Sequence, residues 1–320
     1  CDPAVMLFDI FGEVCRMHEA RGLDRVCQRI PRIADLLPGS TLLCPRNIPR
    51  RFPLLVPEFK TLKVDIDGPL GRLALAQPER LNPLGSDTLT EIAEAAHFLD
   101  GHRDLKVVVV SGQGRAFSAG ADVSSFGQAD GEGPADPRHD ADRGRVMADA
   151  MENMSAVTVA SIRGHCVGGG VVLAATCDLR VAASDARFSI PEIDLGIPLA
   201  WGGIPRLVRE VGPALTKELV MTCRPFGAEE ARAAGFVNRV VEPEELDAEV
   251  EKLVETLLEK PKLALLSTKR HTNAVTSEMF GMTRSWSDAD GLLAGLRDPE
   301  GKASAVRYLE RVRSRRSSGR

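Results

Sequence analysis

The fold of this chain is decided by the stretch Gly164-His165-Cys166-Val167-Gly168-Gly169-Gly170-Val171-Val172-Leu173. Thr158–Ile162 just before it has the β-branched and apolar pattern of a strand, and residues 170–176 have the pattern of a short helix. Glycines at such a junction let the backbone approach a neighbour closely and leave helical N–H groups without partners. The stretch therefore predicts a backbone site for an oxyanion, and Phe117-Ser118-Ala119-Gly120-Ala121-Asp122 is expected to face it.

Composition limits the class of protein. The chain has 320 residues, 43% of them hydrophobic, which is enough to bury a large core in one big domain or two modest ones. A net charge of −4 gives no reason to expect nucleic acid or an anionic membrane as a partner. No apolar run approaches the roughly 20 residues of a membrane span. The 7 cysteines have no metal-like spacing, so we expect free thiols, no metal site and a cytoplasmic protein.

The residue pattern divides the chain into three regions. Residues 1–57 are rich in proline and carry acidic residues that a transit peptide lacks, so we expect a poorly ordered extension. Residues 58–211 alternate strand-like and helix-like segments, which predicts an α/β core. Residues 212–320 are mainly helical in pattern, and we expect a frayed basic tail from Arg311 onward.

Gly127–Arg145 lies between the two glycine motifs. It is rich in Asp, Gly and Arg and has almost no apolar residue. This composition predicts a solvated surface loop, and the alternative is a mobile cover over a substrate cleft.

Four motifs carry a resemblance to a known family. They are Arg115–Asp122, Gly168–Gly170, Phe188–Ile197 and Gly202–Leu207. In this order and at these separations they resemble the crotonase (enoyl-CoA hydratase/isomerase) family, from about residue 58 to about residue 274. The resemblance implies a crotonase-like (ClpP/crotonase) α/β spiral of repeated ββα units, followed by C-terminal helices that assemble homotrimers or hexamers. It also implies an acyl-CoA substrate of fatty-acid metabolism, with coenzyme A as part of the substrate and no separate cofactor.

By family position, the amides of Ala121 and Gly169 hold the oxyanion. A thioester that loses an α-proton, or whose double bond accepts a nucleophile, places negative charge on its carbonyl oxygen, and two N–H donors stabilise that charge. Gly169 stands at the start of a predicted helix, where free N–H groups and the helix dipole favour an anion. The alternative is that the glycines only let a helix pack tightly on a strand.

Proton transfer needs a side chain, and the resemblance points to Glu192. Hydratases of the family carry two glutamates, one at the position of Glu192 and one at the position of Val172. Adding water is most easily run with two carboxylates, whereas one is enough to move a proton along an allylic system. The chain is therefore most similar to a single-glutamate Δ3,Δ2-enoyl-CoA isomerase. An enoyl-CoA hydratase (lyase) of β-oxidation with an altered acid/base pair and a non-catalytic acyl-CoA-binding protein remain as alternatives.

A dienoyl-CoA isomerase is not expected. Enzymes of that kind in the family carry an aspartate eight residues after the equivalent of Glu192, and this chain has Ala200 there. Asp122 and Asp194 are expected to orient loops, and His165 is expected to be a packed histidine.

Substrate binding is predicted at two places. Coenzyme A is expected across the loop Glu79–Pro83, with Arg80 on a phosphate because a guanidinium matches phosphate oxygens; the alternative is an ordinary surface arginine. The acyl pocket is expected to be apolar, which raises the proton affinity of Glu192. Its side chains would be Val123, Val167, Val172, Ile197 and Trp201. The complete set of binding candidates is Arg80, Pro83, Ala119, Gly120, Asp122, Val123, Val167, Gly168, Val172, Pro191, Ile197 and Trp201.

Overall fold

A computed structural model describes residues 56–122 and 136–317 of the chain. Residues 1–55, nearly all of the predicted extension, lie outside the described residues, and so does Val123. Among the described residues, no helix combines the length and the apolar character that crossing a membrane requires.

Valine-rich strands build the main sheet. Its strands are Leu62–Asp67 (β1), Leu70–Leu75 (β2), Val107–Gly112 (β3), Val157–Ile162 (β5), Leu179–Ala183 (β7) and Arg239–Val241 (β10). They lie in the order β1-β2-β3-β5-β7-β10, with β1 and β2 antiparallel and every other neighbouring pair parallel.

A second, smaller sheet lies beside the first. Its strands are Ala116–Ser118 (β4), His165–Val167 (β6), Arg187–Ser189 (β8) and Phe226–Gly227 (β9), in the order β4-β6-β8-β9. Three times the chain makes a strand of the main sheet and then a strand of the small sheet before it enters a helix. The predicted α/β fold with repeated ββα units is confirmed.

Helices cover the sheets and form the C-terminal part of the chain. They are Ser86–Asp100 (α1), Pro137–Glu152 (α2), Gly169–Thr176 (α3), Gly203–Thr222 (α4), Ala228–Ala233 (α5), Leu246–Leu258 (α6), Lys262–Phe280 (α7), Asp288–Arg297 (α8) and Pro299–Ser317 (α9). The predicted boundary between residues 211 and 212 falls inside α4, where the backbone kinks at Gly212. Beyond that kink, β9 and β10 still add strands to the two sheets.

Different helices cover the two faces of the main sheet. Val107, Val109 and Val159 pack in one cluster with Leu246 and Val250 of α6. Their neighbours along the strands point to the opposite face and pack with α1, α2 and α3. Burial on both faces is the reason that β3 and β5 are continuous apolar runs.

The prediction of a loop over Gly127–Arg145 is wrong from residue 137 onward, where α2 begins. The Asp136 side chain caps this helix by accepting from the N–H groups of Arg138 and His139, and a proline occupies the first turn. Charged residues cover the outer face of α2, which explains why composition alone suggested a loop. The buried face consists of Gly144, Met147, Ala148 and Met151.

Two smaller expectations are also wrong. Residues 311–317 belong to α9 and not to a frayed tail, and the Arg311 guanidinium pairs with Asp194 at 3.1 Å. His165 is exposed and not packed, because successive side chains of a strand alternate and Cys166 takes the buried side of β6.

A chain of charged side chains joins α2, α4 and β7. Arg206 is fully buried, and its Nη2 donates to Asp149 (3.0 Å) and Glu152 (2.7 Å). Its Nη1 donates to the carbonyl oxygens of Trp201 (3.1 Å) and Gly202 (3.2 Å). Further pairs in the chain are Glu152–Arg209, Arg209–Glu210 and Glu210–Arg180. Asp149 also pairs with Arg145, so Asp149, Glu152 and Glu210 each bind two arginines and the removal of one arginine weakens the chain without leaving a carboxylate unpaired.

Arg206→Met is expected to lower the free energy of unfolding by about 1.5 to 3 kcal/mol, because Asp149 and Glu152 each lose a charged hydrogen-bond donor while keeping Arg145 and Arg209 as partners. Urea unfolding measures the loss. Arg232→Met is the matched control, since Arg232 and its partner Glu229 are each more than half exposed, and it should cost less than about 1 kcal/mol. Equal losses in the two variants would contradict a stabilising role for the buried chain.

Candidate active site

Two adjoining cavities lie at the amino end of α3. The larger has a volume of about 740 Å³ and is bounded by residues 79–81, residues 119–122 and α9. The smaller has a volume of about 40 Å³, and Glu192 is the one charged side chain among the described residues that line it. Ala121, Glu192 and Ile197 line both cavities, so the cavities meet at these residues.

The structure brings the predicted site residues together around these cavities, apart from Val123, which lies outside the described residues. Those on the larger cavity are Arg80, Pro83, Ala119, Gly120, Ala121, Asp122, Val167, Gly168, Pro191, Glu192 and Ile197. Those on the smaller cavity are Ala121, Gly169, Val172, Glu192, Ile197 and Trp201. The chemical role of each one remains a prediction.

The backbone hydrogen bonds of Gly120 and Asp122 to Leu84 determine the direction of the Ala121 N–H group. The Leu84 N–H donates to Gly120 O (2.8 Å), and the Asp122 N–H donates to Leu84 O (3.3 Å). Because backbone groups alternate in direction along an extended segment, the Ala121 N–H points away from Leu84. No backbone hydrogen bond between described residues uses this N–H.

The amide of Gly169 is free for a different reason. Gly169 is the first residue of α3, so its N–H has no acceptor inside the helix. The preceding N–H, that of Gly168, donates to Ser189 O. A methyl group on Gly120 would lie 3.5 Å from the Gly169 nitrogen, so the two glycine motifs are in contact. Within the described part of the chain, the motifs thus carry two N–H donors without an acceptor, on residues that line the smaller cavity.

Glu192 is a buried acid, with 9% of its surface exposed. Its Oε2 has no hydrogen-bond partner among the described residues. Burial takes the carboxylate out of water and raises the pKa of Glu192 to about 7. The direction of this shift agrees with the sequence-based expectation. Such a carboxyl group is poised to accept and release a proton near neutral pH.

The glycine run makes room for Glu192. Gly168 has a φ of 50°, which favours glycine, and a methyl group there would collide with the Glu192 carboxyl group. A larger residue at this position would displace the acid from the junction of the two cavities.

Trp201 closes the far side of the smaller cavity. Methyl groups on Gly144 or on Gly169 would collide with its indole, so the ring lies between α2 and the start of α3. The Trp201 backbone is left-handed, with a φ of 61°. The Arg206 guanidinium binds its carbonyl oxygen, which helps to hold this strained conformation.

Cationic side chains lie along the larger cavity. Arg80, Arg115 and Arg313 line it. The Arg80 Nη2 pairs with Asp122 Oδ2 at 2.7 Å, so the predicted phosphate ligand already has an anionic partner. Among the described residues there is no group of three or more His, Cys, Asp or Glu side chains placed to hold a metal ion.

The sequence reasoning missed the contribution of α8 and α9. Tyr308, Leu309, Val312 and Arg313 of α9 line the larger cavity, and Leu292 of α8 lines the smaller one. Burial raises the pKa of the Tyr308 phenol, and the nearby charges of Glu192 and Asp194 raise it further. The helical spacing of Tyr308 and Val312 was visible in the sequence, but no local pattern shows which surface a helix covers.

Close backbone contact anchors α9 beside the segment that carries Glu192. A methyl group on Gly196 would collide with the backbone of Gly301. The Ser304 hydroxyl donates to Asp194 O at 2.9 Å. These contacts place the next turns of α9 over the larger cavity.

Gly168→Ala is expected to move the Glu192 carboxyl group and to cost more stability than its matched control, Gly68→Ala. Gly68 has a similar φ of 54° but nothing within 4 Å of an added methyl group. The control therefore measures backbone strain alone, about 1 to 2 kcal/mol. Urea unfolding and a crystal structure of each variant test this expectation. Equal losses with Glu192 unmoved would contradict it.

Comparison with known proteins places this geometry in a family. The sequence model described as Enoyl-CoA hydratase/isomerase matches residues 66–315. The chain is 32% identical over 255 residues to a crotonyl-CoA hydratase of Syntrophomonas wolfei. The alignment covers 79% of this chain and 96% of that protein. It is 34% identical over 224 residues to the peroxisomal Delta(3,5)-Delta(2,4)-dienoyl-CoA isomerase of Arabidopsis thaliana, covering 66% and 81%.

Solved structures agree with the sequence matches. An enoyl-CoA hydratase from Mycobacterium avium subsp. paratuberculosis K-10 superposes with a TM-score of 0.71 at 26% identity, over 78% of this chain and 100% of that chain. The repeated ββα units, the paired glycine motifs and the match over residues 66–315 lead to one conclusion: this chain belongs to the enoyl-CoA hydratase/isomerase family of enzymes.

Proposed function

We propose that the protein is a single-glutamate Δ3,Δ2-enoyl-CoA isomerase, in which Glu192 carries a proton along the acyl chain. One observation carries this proposal. Glu192 is the one titratable side chain among the described residues that line the smaller cavity, and Val172 occupies the position where the family's hydratases have their second glutamate. One carboxylate can both remove a proton and return it, but it offers no second group to activate water.

The mechanism requires two proton transfers at one carboxylate. The thioester oxygen of a 3-enoyl-CoA would accept from the N–H groups of Ala121 and Gly169. The Glu192 carboxylate removes a proton from C2, and the electron pair of that C–H bond forms a C1=C2 bond while the carbonyl π pair moves onto the thioester oxygen, which gives a dienolate with the C3=C4 bond intact. Protonated Glu192 then returns the proton to C4, using the C3=C4 electron pair. The C1=C2 pair shifts to form C2=C3, the carbonyl re-forms, and the 2-enoyl-CoA results.

Stabilisation of the dienolate rests on the two free amides. Neither N–H group donates to another described residue, so substrate binding breaks no hydrogen bond within this part of the protein. The positive end of the α3 dipole adds to the attraction for the oxyanion. In a dry cavity these interactions are stronger than they are in water.

A hydratase is the second candidate. The relatives from Syntrophomonas wolfei and Mycobacterium avium are named hydratases. Tyr308 lines the larger cavity together with Glu192. Its hydroxyl group can hold a water molecule by hydrogen bonding, whereas the side chain of Val172 cannot. The dienoyl isomerase activity named for the Arabidopsis relative is not proposed, because Ala200 stands where that activity uses an aspartate.

Assembly and location remain predictions for this chain. As the family resemblance implies, we propose a homotrimer or hexamer, and a cytoplasmic protein remains the expectation from composition.

Purified protein incubated with 3-enoyl-CoA is expected to form 2-enoyl-CoA, and Glu192→Gln is expected to lower kcat by about 10²- to 10⁴-fold, since Gln cannot carry the proton. Asp194→Asn is the matched control, because Asp194 lies two residues away and pairs with Arg311 at the surface. Formation of 3-hydroxyacyl-CoA from 2-enoyl-CoA, with no isomerisation of 3-enoyl-CoA, would favour the hydratase. Loss of that hydration in Tyr308→Phe would identify the group that holds water.

The activity should rise with pH. Glu192 has a pKa of about 7 in the free protein, so it is neutral below that pH and acts as a base above it. We expect kcat/KM for isomerisation to increase through about pH 7 and then level off.

The raised pKa of Glu192 also determines how the free energy of unfolding changes with pH. The folded state holds a proton that the unfolded chain releases near its ordinary pKa of about 4.5, so this group's contribution to the free energy of unfolding falls between that pH and about 7. Glu192→Gln removes this part of the pH dependence. A kcat/KM that stays constant from about pH 5 to about pH 9 would rule out Glu192 as the base.

A further inference from the structure

The arrangement of the two cavities indicates where each part of an acyl-CoA would lie. The larger cavity carries three arginines, which suits the phosphates of coenzyme A. The smaller cavity is apolar apart from Glu192, which suits a hydrocarbon chain. A thioester held at Ala121 and Glu192, where the cavities meet, directs its acyl chain into the smaller cavity.

That smaller cavity has little depth. Its volume is about 40 Å³. Trp201 forms its end wall together with Val172, Leu199 and Leu292. A chain that extends beyond the first few carbons meets the indole.

The indole is held between two helices. It lies between the Cα atoms of Gly144 and Gly169, so movement toward α2 or toward α3 brings it against backbone. Backbone moves far less readily than the end of a flexible side chain, because the helices on both sides are packed into the core.

The backbone under the indole is held as well. The Arg206 Nη1 donates to the carbonyl oxygens of Trp201 and Gly202, and the Gly202 N–H donates to Asp288 Oδ2 at 2.8 Å. Arg206 is itself fixed by Asp149 and Glu152. The backbone that carries the indole is therefore tied to the buried charges of α2 and to α8.

We propose that Trp201 is a specificity-determining residue that restricts this enzyme to short-chain acyl-CoA thioesters. This inference rests on the proposed function only in placing an acyl-CoA in the two cavities. It does not depend on which reaction follows.

Saturated thioesters test the inference without turnover. Isothermal titration calorimetry with butyryl-CoA and decanoyl-CoA is expected to give a lower Kd for butyryl-CoA with the wild-type protein. Trp201→Ala should improve decanoyl-CoA binding at least tenfold relative to butyryl-CoA, since each methylene that becomes buried is worth about a factor of four. Trp201→Leu serves the same comparison if the alanine variant does not fold.

Trp286→Ala is the matched control, because Trp286 is 64% exposed and lines neither cavity. It should leave the ratio of the two Kd values unchanged. Wild-type protein that binds decanoyl-CoA as tightly as butyryl-CoA would overturn the inference and leave the proposed function standing. An equal change in both Kd values in the Trp201 variants would also overturn it. If neither thioester binds the wild-type protein, the proposed function fails too.

Discussion

Close packing against three consecutive glycines is the constraint on which the site depends. Each of these glycines has a neighbour where a side chain would otherwise begin. The neighbours are Glu192 at Gly168, Trp201 at Gly169 and Ser118 at Gly170. The acid, the end wall of the smaller cavity and the upstream glycine motif therefore converge on a single turn of backbone, which a methyl group at any of the three positions would push apart.

This convergence also explains the electrostatics of the site. The glycine run that makes room for Glu192 also helps to bury it. Burial disfavours the charged carboxylate and raises the pKa of Glu192 to about 7. With Val172 and Ala200 on the same cavity, no second carboxylate among the described residues shares the smaller cavity. Burial that costs stability thus provides the proton affinity that an acid/base group needs at neutral pH.

Parts of the molecule far from the glycine run hold its contacts in place. The buried charge chain through Arg206 fixes the turn that carries Trp201, and it joins that turn to α2. On the other side, Gly301 and Ser304 fasten α9 to the segment after Glu192. The C-terminal helices are therefore part of the site and not only an appendage to the sheets.

The sequence by itself determined the elements of the core and the two glycine motifs. It also determined that Glu192 is present while Val172 stands at the position of the second glutamate. Periodicity and residue type are local properties, and they are sufficient for a valine strand or a glycine turn. Local pattern failed at α2, whose apolar face is narrow and whose outer face is charged. It also failed at residues 311–317, where Arg311 pairs with Asp194 far along the chain. Only the tertiary structure decided that Glu192 is buried, that Trp201 lies between Gly144 and Gly169, and that α9 lines the larger cavity. Each of these depends on contacts between residues distant in sequence, and no local pattern encodes such contacts.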